Sequence, residues 1–256
     1  MYGKMTNIIS MGCSHSLGSY DENDDVDKHM SWPRAVFANC SNINYFFHIG
    51  LPGHGVIDYC YYLTKLDNEG VLKNTDKLII QHTSEPRCVF YHYPKVLEKF
   101  YKNEVRTYFD SDITENFKMV STKDFFIKKY NKNNLPFPLN IAGTSMLKYI
   151  LDNNNTRIAE KFDAMISAFV PSSTVVQAVR LSYEKIHQLA KKNNIELYEF
   201  LWPGMTTDIE NKIHIVDKNI PDYNKFRNSN GHVNKEGHEI IKNNILDYLQ
   251  DNDFFK

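Results

Sequence analysis

Apolar residues follow two rhythms along the chain. The runs TNIISM (6–11), INYFFHIG (43–50) and DKLIIQHT (76–83) are short, unbroken and bounded by glycine or polar residues, so they predict buried strands. Between them the spacing turns helical. SWPRAVFANCS predicts a helix with Ser31 as its cap and Pro33 in its first turn, where the missing N–H costs little. VIDYCYYLTKLDNEG places Val56, Ile57, Tyr59, Cys60 and Leu63 on one face of a second helix. Strands separated by helices at this distance suit crossover connections, so the pattern predicts the α/β class: a parallel sheet of about five strands between layers of helix.

The rhythm breaks from about 86 to 140. RCVFYHYPKVLEKFYKNEVRTYF reads as partly helical and KKYNKNNLPFPLN as a loop, so this stretch is expected to be an insertion or lid within one domain spanning 1–256. Helical patterning returns at about 142–169. It recurs in TVVQAVRLSYEKIHQLAKKNN, where Val176, Val179, Ile186, Leu189 and Ala190 share a face. IELYEFLWP predicts another strand. NKEGHEIIKNNILDYLQ predicts a closing helix capped by Asn234, with Ile240, Ile241, Ile245, Leu246 and Leu249 inward.

Charge and cysteine usage narrow the partners. Lys plus Arg total 30 against 31 Asp plus Glu, a formal charge of -1, so no global field favours nucleic acid or an anionic membrane. The N-terminal apolar stretch is too short for a signal peptide and no run reaches a membrane span, so a cytoplasmic protein is expected. Cys13, Cys40, Cys60 and Cys88 form no C-x-x-C pair, which argues for reduced thiols over a zinc ribbon or disulfides. The 10 histidines include no H-E-x-x-H, so neither a metal nor a cofactor is expected. The acidic loop Asp21 to Asp27 lacks the glycine and terminal glutamate of an EF-hand and reads as solvated. His48 and His82 read as satisfied core histidines and His238 as structural. Phe90 and Tyr91 read as packing residues in preference to a sugar-stacking platform.

In open parallel sheets ligands bind beyond the carboxyl ends of the strands. There the chain carries GCSHSLG after the first strand, HIGLPGHG at the end of the second and LIIQHTSEPR at the end of the third, with GHVNKEGHEII leading into the last helix. Together, in this order, the four blocks resemble those of the SGNH (GDSL-type) hydrolase family, in the variant whose first block is Gly-Cys-Ser. The resemblance spans most of the chain. It implies a three-layer α/β/α, flavodoxin-like fold and hydrolysis of an ester, a short acyl group such as acetate on a small molecule or glycan, through an acyl-serine intermediate.

The chemistry explains the residue types. A serine hydroxyl needs a base to take its proton, and a histidine titrates in the right range; Ser14 is the expected nucleophile and His232 the base. Cys13, beside Ser14, reads as a small buried filler. The oxyanion requires donors aimed in advance, for which the backbone N–H groups of Ser14 and Gly53 are candidates, with Gly55 as fallback. The sequence departs from the family twice. Where the third block usually offers an Asn, this chain has Thr83-Ser84-Glu85, so Thr83, Ser84 or Arg87 stands in, or these residues only satisfy a strand end. Where an Asp normally precedes the base by two or three residues, the chain has Ser229 and Asn230, and Asp222 is the nearest upstream acid. The alternatives are a dyad with Asn230 or backbone support, an Asp222 that folds back, or a degenerate fold that binds glycans or serves as a structural module.

Overall fold

A computed structural model describes residues 5–21, 26–50, 55–83, 89–92, 116–121, 137–140, 172–203, 214–215, 223–228 and 232–256. The main sheet contains β1 (Thr6–Gly12), β4 (Ile43–Gly50), β5 (Lys77–His82), β7 (Phe117–Ser121), β9 (Glu196–Leu201) and the two-residue β10 (His214–Ile215). Their order is β10-β9-β5-β1-β4-β7 and every pairing is parallel. Two antiparallel pairs stand apart: β2 (Ser19–Tyr20) with β3 (Val26–Asp27), and β6 (Val89–His92) with β8 (Phe137–Asn140).

Four described helices cover the sheet: α1 (Trp32–Asn39), α2 (Val56–Asn68), α3 (Ser172–Lys192) and α4 (Lys235–Asp251). Ile9, Met11, Ile49, Leu78, Ile80 and Leu201 pack with α2 and α3. Their strand neighbours Ile8, Phe46, Ile79, Phe200 and Trp202 pack on the opposite face with α1 and α4. Successive residues of one strand thus enter two different cores, which is why the strands read as continuous apolar runs instead of alternating ones. The result is a three-layer α/β/α fold. Each fully buried Phe on the α1/α4 side, such as Phe46 or Phe200, contributes about 2–3 kcal/mol of transfer free energy.

Within the stretch expected to be an insertion, β7 joins the main sheet beside β4. Phe117 and Met119 are buried while Lys118 is exposed. This alternation is that of a half-buried edge strand, and it is too brief to stand out among the surrounding Lys and Asn. The helical pattern at 142–169 lies outside the described residues, as do the side chains of Phe90 and Tyr91. Ser31 begins α1, yet its hydroxyl makes no capping bond and has no partner among the described residues. Of the two amides that can donate to a cap oxygen, the second helical residue supplies none, because it is Pro33. Asn234 does cap α4, its Oδ1 accepting from Gly237 N at 3.0 Å. Cys13, Cys40 and Cys60 are free thiols. No helix among the described residues is long and apolar enough to cross a membrane.

Candidate active site

β1 ends at Gly12, and the chain then folds back over the strand ends in a 3-10 turn, Ser14–Ser16, closed by Ser16 N to Cys13 O and Leu17 N to Ser14 O, both at 3.0 Å. Two glycines paired in register make room for this turn. A Cβ on Gly12 would lie 2.6 Å from Ser16 Cβ, and one on Gly50 would lie 2.3 Å from Leu17 Cδ2. Neither position accepts a side chain without moving the turn. His15 and Ser16 point into the protein, which leaves Ser14 partly exposed at the rim.

Ser14 Oγ lies 3.1 Å from His232 Nε2, although the two residues are 218 positions apart. His232, also partly exposed, sits in the segment before α4. That segment is pinned on both sides: Asn228 N donates to His232 O and Asn234 N to Phe226 O, each at 2.7 Å, and Val233 is buried in the α1/α4 core. The rings behind the pair are packed in series. His15 stacks on Trp202 with centroids 4.9 Å apart and planes 12° from parallel, and meets His232 edge-on at 5.2 Å. His238, in α4, bonds through Nε2 to His15 O at 2.9 Å. Burial holds its pKa down to about 4, so the neutral ring carries its single proton on Nε2 and donates it to that carbonyl. His238 is thus a structural tie from α4 to the 3-10 turn that carries Ser14.

Beneath the turn lies a neutral polar network. Trp32 Nε1 donates to Gln81 Oε1 at 2.7 Å, and Gln81 Nε2 contacts Cys13 Sγ at 3.1 Å, so Cys13 is a buried, hydrogen-bonded filler. His48 bridges Ser10 Oγ and Ser16 Oγ, each at 2.8 Å. Thr83, two residues beyond Gln81, is 5% exposed, and its hydroxyl has no hydrogen-bond partner among the described residues. Gly53, Ser84, Arg87, Asp222 and Asn230 lie outside the described residues. Gly55 is described: it is the N-cap of α2, with its N–H donated to Asp58 Oδ2 at 3.2 Å, and an amide committed to that bond is a poor oxyanion donor.

On the opposite face of the sheet, sequence reasoning missed a cluster. His82, expected as a satisfied core histidine, bonds through Nε2 to Glu199 Oε1 at 2.8 Å, while His187 Nε2 on α3 lies 2.7 Å from Glu199 Oε2. Burial works to raise the Glu199 pKa, but the hydrogen bonds from His187 and His82 outweigh it and hold the carboxylate at about 2. Tyr183 bonds to the same carboxylate, and its phenol is pushed up to about 12 by burial first and then by the Glu199 charge. A signal was present: in ELYEFL, Glu199 shares the parity of Leu197 and Leu201, so it must face the core. Among the described residues no group of three His, Cys, Asp or Glu side chains is arranged to hold a metal ion.

No protein-family model matches the chain, and no curated protein matches it in sequence.

Proposed function

We propose that the protein is a serine esterase that removes a short acyl group from an alcohol. The observation that carries this reading is the 3.1 Å approach of Ser14 Oγ to His232 Nε2 at the carboxyl edge of the sheet. In this reaction His232 Nε2 accepts the Ser14 hydroxyl proton as Oγ attacks the ester carbonyl. The tetrahedral oxyanion is met by the Ser14 N–H and by the Thr83 hydroxyl. Collapse breaks the bond to the alcohol, which leaves with the proton from His232 Nε2. Water, deprotonated by the same nitrogen, then releases the acid from the acyl-serine. His232 must be neutral and protonated on Nδ1 to begin the cycle, and the packed rings of His15 and Trp202 limit its rotation. The acetate-like acyl group and a carbohydrate alcohol rest on the family resemblance of the four sequence blocks alone.

The test is a fluorophosphonate probe and short-chain p-nitrophenyl esters. Covalent labelling at Ser14, together with turnover that disappears in Ser14→Ala while the melting temperature holds, supports the esterase. Glycan binding by a protein that neither labels nor turns over would replace it with a binding module.

A further inference from the structure

We infer that His48 is a positioning residue for catalysis: its imidazole drives a one-way chain of hydrogen bonds into the Cys13 carbonyl and thereby aims the Ser14 N–H at the oxyanion. The inference rests on the esterase reading of Ser14. It starts from proton counting in a sealed place. Ser10, Ser16 and His48 have no exposed surface. Ser16 Oγ donates its one proton to Cys13 O at 2.7 Å. In the 2.8 Å contact between Ser16 Oγ and His48 Nε2 the hydroxyl oxygen must therefore accept, and Nε2 must carry a proton. Burial holds the His48 pKa down to about 3, so the ring is neutral and its Nδ1 is bare. Nδ1 accepts, and Ser10 Oγ donates to it at 2.8 Å. Every proton in the chain points the same way, from Ser10 to His48 to Ser16 to the carbonyl of Cys13.

That carbonyl shares a planar peptide with the Ser14 N–H, and in a trans peptide the two point in opposite directions. Holding the oxygen fixes the direction of the N–H. Two donors fall on this oxygen, Ser16 Oγ and the Ser16 N–H at 3.0 Å. They draw charge toward the carbonyl and make the N–H across the peptide a stronger donor, as bonds in a chain polarise one another. Trp32 meets the His48 ring edge-on at 5.4 Å and keeps it from swinging away. A donor held in this way acts on the transition state, where the oxyanion exists, and not on the bound ester, so kcat carries the effect.

Two measurements test the inference. Nitrogen NMR of histidine-labelled protein at neutral pH, with the His48 signals assigned by their loss in His48→Gln, should show a bare Nδ1 and a protonated Nε2. The opposite tautomer, or a doubly protonated ring, overturns the chain. On an activated ester, Ser16→Ala should lower kcat by about tenfold or more with KM unchanged, and slow the labelling of Ser14 in proportion. His48→Leu should lose at least as much, and His48→Gln, which keeps one acceptor and one donor, should recover most of it. If folded Ser16→Ala and His48→Leu keep kcat within twofold, or lose only through KM, the positioning role is overturned. A wild-type protein that neither labels nor turns over overturns the esterase reading and the aiming role with it, and the NMR result decides the hydrogen-bond chain independently.

Discussion

On the α1/α4 face of the sheet two neutral chains of hydrogen bonds are sealed beneath the 3-10 turn, whereas on the α2/α3 face His82, His187 and Tyr183 converge on the Glu199 carboxylate. The first face holds Ser10, His48 and Ser16 in one chain and Trp32, Gln81 and Cys13 in another, all without net charge and all buried. The second holds Glu199, with a side chain 9% exposed, between His82 and His187, and His187 is 44% exposed. The difference follows from desolvation. A neutral chain can be sealed completely because each donor meets an acceptor, but a charge in the same place would cost several kcal/mol unless water or partners shared it. The neutral network lies under the 3-10 turn that carries Ser14, to which Ser16 and Cys13 join it. The charged cluster sits where α3 opens to solvent.

If the faces divide their work in this way, substitutions should separate catalysis from stability. The largest effect is expected at the rim above the neutral face: His232→Ala should lower kcat by about 10²–10⁴-fold, the range of a positioned general base, with little change in melting temperature. Glu199→Leu should do the reverse. It removes the hydrogen bonds of a buried carboxylate, at a cost of about 3 kcal/mol in a denaturation measurement, while kcat of the folded protein stays within about threefold. A Glu199→Leu variant that is stable but inactive would break the comparison and make the cluster part of the site.

Much of this was legible in the sequence, and the limits have physical causes. Ile43–Gly50 is a strand from end to end as its composition predicts, and α2 begins at Val56 as expected. Strands buried on both faces and amphipathic helices each leave a local signature. β7 left too little of one, because five residues of alternating pattern carry no weight until a partner strand is known. The blocks that hold Ser14 and His232 could be picked out, but their approach across the whole domain follows from the pinning of the segment before α4. His48 and His82 looked alike in sequence, each a histidine in an apolar strand. One sits between two hydroxyls and the other against a carboxylate, and only non-local pairing decides which.

Acid should separate the two faces by pH window. Buried His48 and His238 have pKa values held down to about 3 and about 4, so below about pH 6.5 the unfolded chain binds protons that the folded one refuses. Stability therefore falls as the pH drops from about 6.5 toward those values, each histidine contributing up to about 1.4 kcal/mol per pH unit. Glu199 acts lower. Its pKa is depressed to about 2, so its contribution is complete above the ordinary carboxylate value near 4.5 and is lost as the pH falls through about 2. Urea midpoints from pH 7 to 3 should show a decline that begins near 6.5 and steepens below 4.5. His48→Gln should flatten the upper part and Glu199→Leu the lower. An upper part that His48→Gln leaves unchanged would mean that the imidazole is not neutral in the folded protein.

The smallest effect tests the boundary between the faces, at Thr83 just beyond β5. Its hydroxyl is buried and has no partner among the described residues, and an unmade hydrogen bond of this kind costs about 1–3 kcal/mol. Valine has the same shape without the hydroxyl, so Thr83→Val should raise stability by about 1 kcal/mol. A protein keeps such a cost where the group has work to do. If the hydroxyl donates to the oxyanion, Thr83→Val should also lower kcat by about tenfold with KM unchanged, and Thr83→Ser should retain activity. A gain in stability with no loss of kcat would remove Thr83 from the site and leave the oxyanion to backbone donors. A loss of stability would show that the hydroxyl is hydrogen-bonded in the folded protein and would overturn the gain expected here.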